Sequence, residues 1–148
     1  MKKVSKHISY KEATHSNYAK QYNIANKPKA EHIENMELVA EKVFEPLREW
    51  VDNPIKVNSM FRSEKLNSAL KGSSTSSHLN GEAIDITSMG GKTNLEMFHY
   101  IKDNLDFDQL IWEFGSAPKW LHVSYKNEKD NRKQVLITKK IGVYYTYN

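Results

Sequence analysis

Between Ala30 and Val51 the apolar residues Ile33, Met36, Val39, Ala40, Val43, Phe44, Leu47 and Trp50 recur at steps of three and four. That spacing lines one face of an α-helix. Pro46 falls inside the run and predicts a kink or break, because proline lacks a backbone N–H and its ring crowds the carbonyl four residues back. Asn53-Pro54 ends the helix, and the following Ile55 to Asn58 reads as a short strand. Ser63 is placed to cap a second helix through Leu70, with Gly72 standing where a C-terminal cap belongs. The SSTSS run at 73–77 is a loop, and Glu82 to Thr87 reads as a buried strand around Ala83, Ile84 and Ile86. Met89-Gly90-Gly91 is a turn, after which Thr93 and Glu96 form a capping box for a helix that buries Leu95, Phe98, Ile101 and Leu105.

Strands dominate the second half. Gln109 to Glu113 and Trp120 to Tyr125 are joined by the turn-rich FGSAPK, and Gln134 to Thr138 with Val143 to Tyr147 suggests a further hairpin. Helices first and clustered strands later predict an α+β domain with an antiparallel sheet flanked by helices. Residues 1–29 are polar and weakly patterned; a short helix fits there, closed by Pro28. The expected organisation is an N-terminal arm, 1–29, packing on a domain of residues 30–148.

Composition narrows the chemistry. A chain of 148 residues suits one domain with a real core. Cysteine is absent, so any metal must be held by histidine and carboxylate. The formal charge of +4 is spread along the chain with no Lys/Arg block, which argues against a nucleic-acid partner and reads as ordinary solubility. Two lysines follow Met1, but no apolar segment follows them, so no signal peptide is expected. No stretch approaches the length of a membrane span, and membrane insertion is not expected.

Asp85 lies between Ile84 and Ile86 in a strand that otherwise looks buried. A carboxylate there is costly unless it is paired or bound to a metal. Strand alternation sends Ala83, Asp85 and Thr87 to one face and the isoleucines to the other. By the same rule Trp120, His122 and Ser124 share one face of their strand. Neighbouring strands can thus aim Asp85 and His122 into a common cleft, with His78 supplied from the loop before Asp85. Two imidazoles and one carboxylate suit zinc (Zn2+) with its fourth position open to water. On spacing alone, a histidine in a strand is more often a packed or solvent-edge residue than a ligand.

The motifs go further. Ser76-Ser77-His78-Leu79-Asn80-Gly81-Glu82-Ala83-Ile84-Asp85 has the form S-x-H-x-x-G-x-A-x-D. It resembles the metal-binding signature of the M15 family of zinc D-Ala-D-Ala carboxypeptidases and L-Ala-D-Glu endopeptidases, whose fold is shared by Hedgehog-type domains. Trp120-Leu121-His122-Val123-Ser124 resembles the family's W-x-H-x-S strand, and Arg62-Ser63 with Asn67 resembles its Y-R-S-x-x-x-N segment. The three matches stand in family order across residues 60–124. The resemblance implies a Hedgehog/DD-peptidase-like domain in which His78, Asp85 and His122 bind zinc, with zinc-bound water as nucleophile. It further implies that Arg62 meets the substrate carbonyl or oxyanion and that Ser76 contacts substrate or steadies its loop. The expected substrate is a peptidoglycan stem peptide, and the chain is expected to be a monomer.

The general base departs from the pattern. Many family members carry a glutamate three residues before the last histidine, and here that position is Lys119. Glu113, ending the strand that should pair with Trp120 to Tyr125, is the candidate in its place. Without such a base the chain would be a catalytically inactive zinc-bearing wall-binding or structural module. His7, His15, His32 and His99 match no motif, and Tyr144, Tyr145 and Tyr147 fit an edge strand or a stacking surface for glycan. A single-domain wall peptidase without a signal peptide resembles a phage endolysin: made in the cytoplasm, it would reach the wall after the membrane is permeabilised.

Overall fold

The structure is a computed structural model and describes residues 3–148. It is α+β: a six-stranded sheet carries helices on one face and an open cleft on the other. In chain order the first strands are β1 (Lys3–Ser5) and β2 (Ile8–Ser9), a separate two-stranded ribbon. Short helices α1 (Tyr10–Thr14) and α2 (Asn17–Gln21) follow, each started by a serine, Ser9 or Ser16, whose hydroxyl accepts a backbone N–H. Val4, Ile8 and Ala13 from this segment lie in the same buried cluster as the rest of the core.

The long apolar run forms α3 (Ala30–Val39), one wider π-helical turn (Ala40–Phe44) and α4 (Glu45–Val51). The break expected at Pro46 does not occur. Instead, the Glu45 N–H donates to the Ala40 carbonyl five residues back, and Pro46 falls in the first turn of α4, where an N–H is not required. The apolar face therefore continues through the proline, and Met36, Val39, Val43, Phe44 and Leu47 are all buried.

The main sheet contains β3 (Ile55–Ser59), β4 (Ala83–Ser88), β5 (Gln109–Glu113), β6 (Trp120–Ser124), β7 (Gln134–Lys140) and β8 (Val143–Thr146), in the spatial order β3-β4-β6-β5-β7-β8. Every pairing is antiparallel except β5 with β7, which run parallel in register Gln109↔Gln134 through Glu113↔Thr138. The sheet is thus mixed where a wholly antiparallel one was expected. The segment between Ser124 and Gln134 carries the chain back to the start of β5, so β7 enters from the same end.

Helix α5 (Glu64–Ala69) starts at Ser63 as expected, but the left-handed residue closing it is Lys71 (φ 59°) rather than Gly72. Helix α6 (Asn94–Asn104) begins with the Thr93–Glu96 capping box and buries Met97, Phe98 and Ile101. Helices α3, α4 and α6 pack on Ile84, Ile86, Leu110, Leu121 and Val123, alternate residues of the three central strands. The opposite face of those strands is thereby left to the cleft.

Candidate metal centre and cleft

His78 is delivered by a 3₁₀ turn, Ser77–Asn80, between α5 and β4. The Ser76 hydroxyl caps this turn by accepting the His78 N–H at 3.3 Å. Gly81 closes it in the left-handed region at φ 75°, and a Cβ there would lie 2.5 Å from the His32 carbonyl oxygen. The glycine of the motif is thus a packing requirement where the turn meets α3. It sets the step from His78 to Asp85.

On the sheet, Asp85 and His122 are directly paired across β4 and β6. The His122 Nδ1 lies 2.9 Å from Asp85 Oδ1, and the His78 Nε2 lies 3.2 Å from the same oxygen. The two imidazoles meet edge to face with centroids 5.2 Å apart. One ligand atom from each of the three residues lies within 4.8 Å of the others, the one such group of histidine and carboxylate among the described residues. Of the remaining histidines, His7 instead pairs with Glu45 at 2.6 Å.

Protonation bears on what this cluster can hold. His78 Nδ1 is 2.7 Å from the Met60 carbonyl, which can only accept, so Nδ1 carries the ring proton. Nε2 is then the ring nitrogen turned into the cluster, buried, without a hydrogen-bond partner and aimed at a carboxylate oxygen. Burial opposes the charge of Asp85, but His78 and the hydrogen bond from His122 outweigh it and hold the carboxyl well below the usual range. An ionised carboxylate and two imidazole nitrogens aimed at one point fit a zinc ion. The backbone carbonyl on His78 is the outer partner that fixes a ligating imidazole.

The other expected residues gather around this point. A cavity of about 740 Å³ is lined by Arg62, Ser76, Glu113 and the three cluster residues, among others. Arg62 is held by its N–H, which donates to the His78 carbonyl at 3.1 Å. Its stretch of chain is further fixed by Asn26, which bonds the Phe61 carbonyl and the Ser63 N–H. Its Nε is buried and unpartnered, and burial lowers its pKa while Asp85 raises it. Glu113 is 9% exposed, pairs with Trp120 across β5 and β6, and is pushed up to about 7 by burial; His122 lowers it and Asp85 raises it. Lys119 is exposed and does not line the cavity; its backbone N–H donates to the Glu113 carbonyl at 2.9 Å.

The cavity also takes in Lys126, Arg132 and Tyr144. The motifs did not single out the two cations, and their local sequence carries no signal: long cations in a polar loop read as solvated. Tyr144 reaches the cleft because β8 continues the sheet beyond β7, pairing Tyr144 with Thr138 in the row of Glu113.

Two histidines and an aspartate beside a buried carboxyl and a half-buried arginine make a group that could hold a metal ion at the floor of a cleft. The chain belongs to the peptidase M15 family, whose model matches residues 6–124. By that membership it is a peptidase of a zinc-dependent family. No curated protein matches it closely enough to count as a relative. No helix among the described residues is long and apolar enough to cross a membrane.

Proposed function

We propose that the protein is a zinc peptidase that hydrolyses one peptide bond in the stem peptides of bacterial peptidoglycan, as a D-Ala-D-Ala carboxypeptidase or an L-Ala-D-Glu endopeptidase. The observation that carries this reading is the unpartnered, buried Nε2 of His78 converging with His122 on ionised Asp85. His78, Asp85 and His122 would hold the ion. Bound there, zinc supplies Lewis acidity, which lowers the pKa of a coordinated water and polarises the scissile carbonyl.

The chain's own residues supply the rest. Glu113 accepts a proton from the attacking water and passes it to the departing amine. A carboxyl held near pH 7 can serve as base and then as acid at neutral pH. Arg62 presents a fixed cation to the oxyanion as the carbonyl carbon becomes tetrahedral. The C–N bond then breaks as the amine takes its proton from Glu113. Ser76 holds His78 in its turn through the N–H it caps. Acting on such a substrate, the protein would work at the cell wall in the manner of a phage endolysin.

The test is release of new amino groups from purified peptidoglycan by zinc-loaded protein. Exhaustive chelation should abolish release and added zinc should restore it. Glu113→Gln should bind zinc normally yet lose about 10²- to 10⁴-fold in kcat. Undiminished release after chelation would remove the metal from the reaction. An unimpaired Glu113→Gln would remove the glutamate. Wall binding with no release by the parent protein would mark an inactive binding module.

A further inference from the structure

We propose that the cleft contains a carboxylate-binding subsite, built by Arg132 and Lys126, that selects peptides carrying a free carboxylate a few residues from the bond that is cut. The proposal rests on the peptidase reading of the His78–Asp85–His122 centre and specifies the substrate for it.

The sheet register sets out the cleft in rows. Tyr144, Thr138, Glu113 and Trp120 form one row across β8, β7, β5 and β6. Asp85, His122, Ile111 and Leu136 form the next, with Ser124, Gln109 and Gln134 beyond them. Lys126 follows Ser124 by two residues and Arg132 precedes Gln134 by two, so both stand at the same end, past the metal centre and opposite Glu113. At about 3.4 Å per residue, His122 to Lys126 spans about 14 Å. Long cationic side chains reach back along that path, and roughly two to four residues of extended peptide bridge what remains.

Arg132 is a built feature. Its Nε and Nη2 donate to the two oxygens of Asp108 at 3.0 and 2.8 Å, and its backbone N–H donates to Oδ1 at 3.0 Å. Asp108 is completely buried, and its own backbone is fixed by the Ser124 carbonyl and the Gln134 N–H. The guanidinium is therefore oriented by a carboxylate that cannot move, while its own side chain remains 53% exposed at the cleft. A guanidinium has five donors in a planar fork. The pair with Asp108 uses the Nε/Nη2 edge and leaves the Nη1/Nη2 edge for a second, bidentate carboxylate.

Charge balance favours an anion there. Asp108 and Arg132 cancel, and Lys126, which lines the same cavity, pairs with no carboxylate among the described residues. Both cations lie beyond residue 124, where the family match ends, so the family's signatures do not assign them a task.

The experiment uses zinc-loaded protein and stem-type peptides in matched pairs, each free carboxylate in turn replaced by its carboxamide. At one position the parent protein should prefer the carboxylate by about 10-fold or more in kcat/KM, expressed mainly in KM. Arg132→Gln and Lys126→Gln should each bring that ratio toward one. Arg132→Gln releases the buried Asp108 and can weaken the fold; Lys126→Gln leaves that pair intact, so the proposal does not hang on one variant. A purely structural role would lower cleavage of both members of a pair alike and leave the ratio standing. Equal treatment of every pair by the parent protein, or an unchanged ratio in both variants, would overturn the subsite. If no peptide is cleaved, the peptidase reading fails instead. Binding of the same pairs, followed by titration calorimetry, then decides the subsite by the same ratio.

Discussion

Strands β4, β5 and β6 present two faces that differ in kind. On one, Ile84, Ile86, Leu110, Leu121 and Val123 are fully buried against the helices. On the other, separated from them by single residues, stand Asp85, Glu113 and His122. The first face lowers the free energy of the fold and has many contributors. The second raises it: a carboxyl pushed toward its neutral form by burial and a buried imidazole nitrogen with no partner each cost free energy in the metal-free chain, while Asp85 keeps its charge only through its two imidazole neighbours. Groups that cost stability in positions fixed by the sheet are what a binding site requires, and the apolar face offsets them.

The largest expected effect separates the two faces. Asp85→Ala should lower peptide hydrolysis to background and abolish tight zinc binding, measured by metal content after dialysis. Leu121, next to His122 on β6 and paired with Ile86, points to the helices and is fully buried. Leu121→Ala should cost about 2–5 kcal/mol in urea denaturation of the metal-free protein. It should retain the metal stoichiometry of the parent under conditions where it is folded. The contrast breaks if Asp85→Ala destabilises the metal-free chain more than Leu121→Ala does.

Proton linkage probes the cleft face alone. Glu113 is raised from its ordinary 4.5 to about 7, so the folded state keeps a proton that the unfolded chain gives up. In the metal-free protein the stability tied to this group is complete below about pH 4.5 and is lost as pH rises to about 7. The full change corresponds to about 3 kcal/mol. Glu113→Gln should remove that fall, so the parent and variant stability curves converge at low pH and separate toward pH 7. Parallel curves across the window would mean that Glu113 titrates normally. Bound zinc, a nearby cation, should draw the Glu113 pKa down and shift the window to lower pH.

Much of this was legible because local rules and the global fold agree. The alternation Ile84-Asp85-Ile86 is visible in three residues, and both isoleucines do face the helices while the aspartate faces the cleft. The Ser63 cap and the Thr93–Glu96 box are local hydrogen-bond patterns, and both form. Other features depend on what lies far along the chain. Pro46 is absorbed by a wider turn because the apolar face on both sides of it is held by the sheet. The parallel pairing of β5 with β7 depends on how the segment after Ser124 returns, which no strand pattern records. Arg132 acquires a fixed direction only through Asp108, 24 residues earlier.

Gly81 tests the hinge between the two faces, since its turn places His78 against the sheet. A left-handed φ and a prospective Cβ 2.5 Å from the His32 carbonyl make even alanine strained there. Gly81→Ala should lose about 1–3 kcal/mol of stability, with weaker zinc binding as the His78 turn shifts. Thermal denaturation with and without zinc measures both, and a neutral substitution would show that the turn yields without moving His78.

The smallest expected effect concerns Lys119, where many family members carry the glutamate missing here. The backbone at this position is fixed, because its N–H bonds Glu113 and its carbonyl accepts from Asn94. The side chain is exposed and outside the cavity. Lys119→Glu should therefore change stability by less than about 0.5 kcal/mol, as exposed substitutions usually do. A glutamate that stays outside the cleft cannot reach the proton it would have to abstract, so hydrolysis should also remain near the parent rate. The informative form is the double variant, Lys119→Glu with Glu113→Gln. If the base must project from β5 at Glu113, the added carboxylate leaves the double variant as slow as Glu113→Gln alone. Recovery toward the parent rate would show that a carboxylate at 119 can swing into the cleft and take over. The base position would then be set by the reach of the β5–β6 connection rather than by the strand row that holds Glu113 beside Trp120.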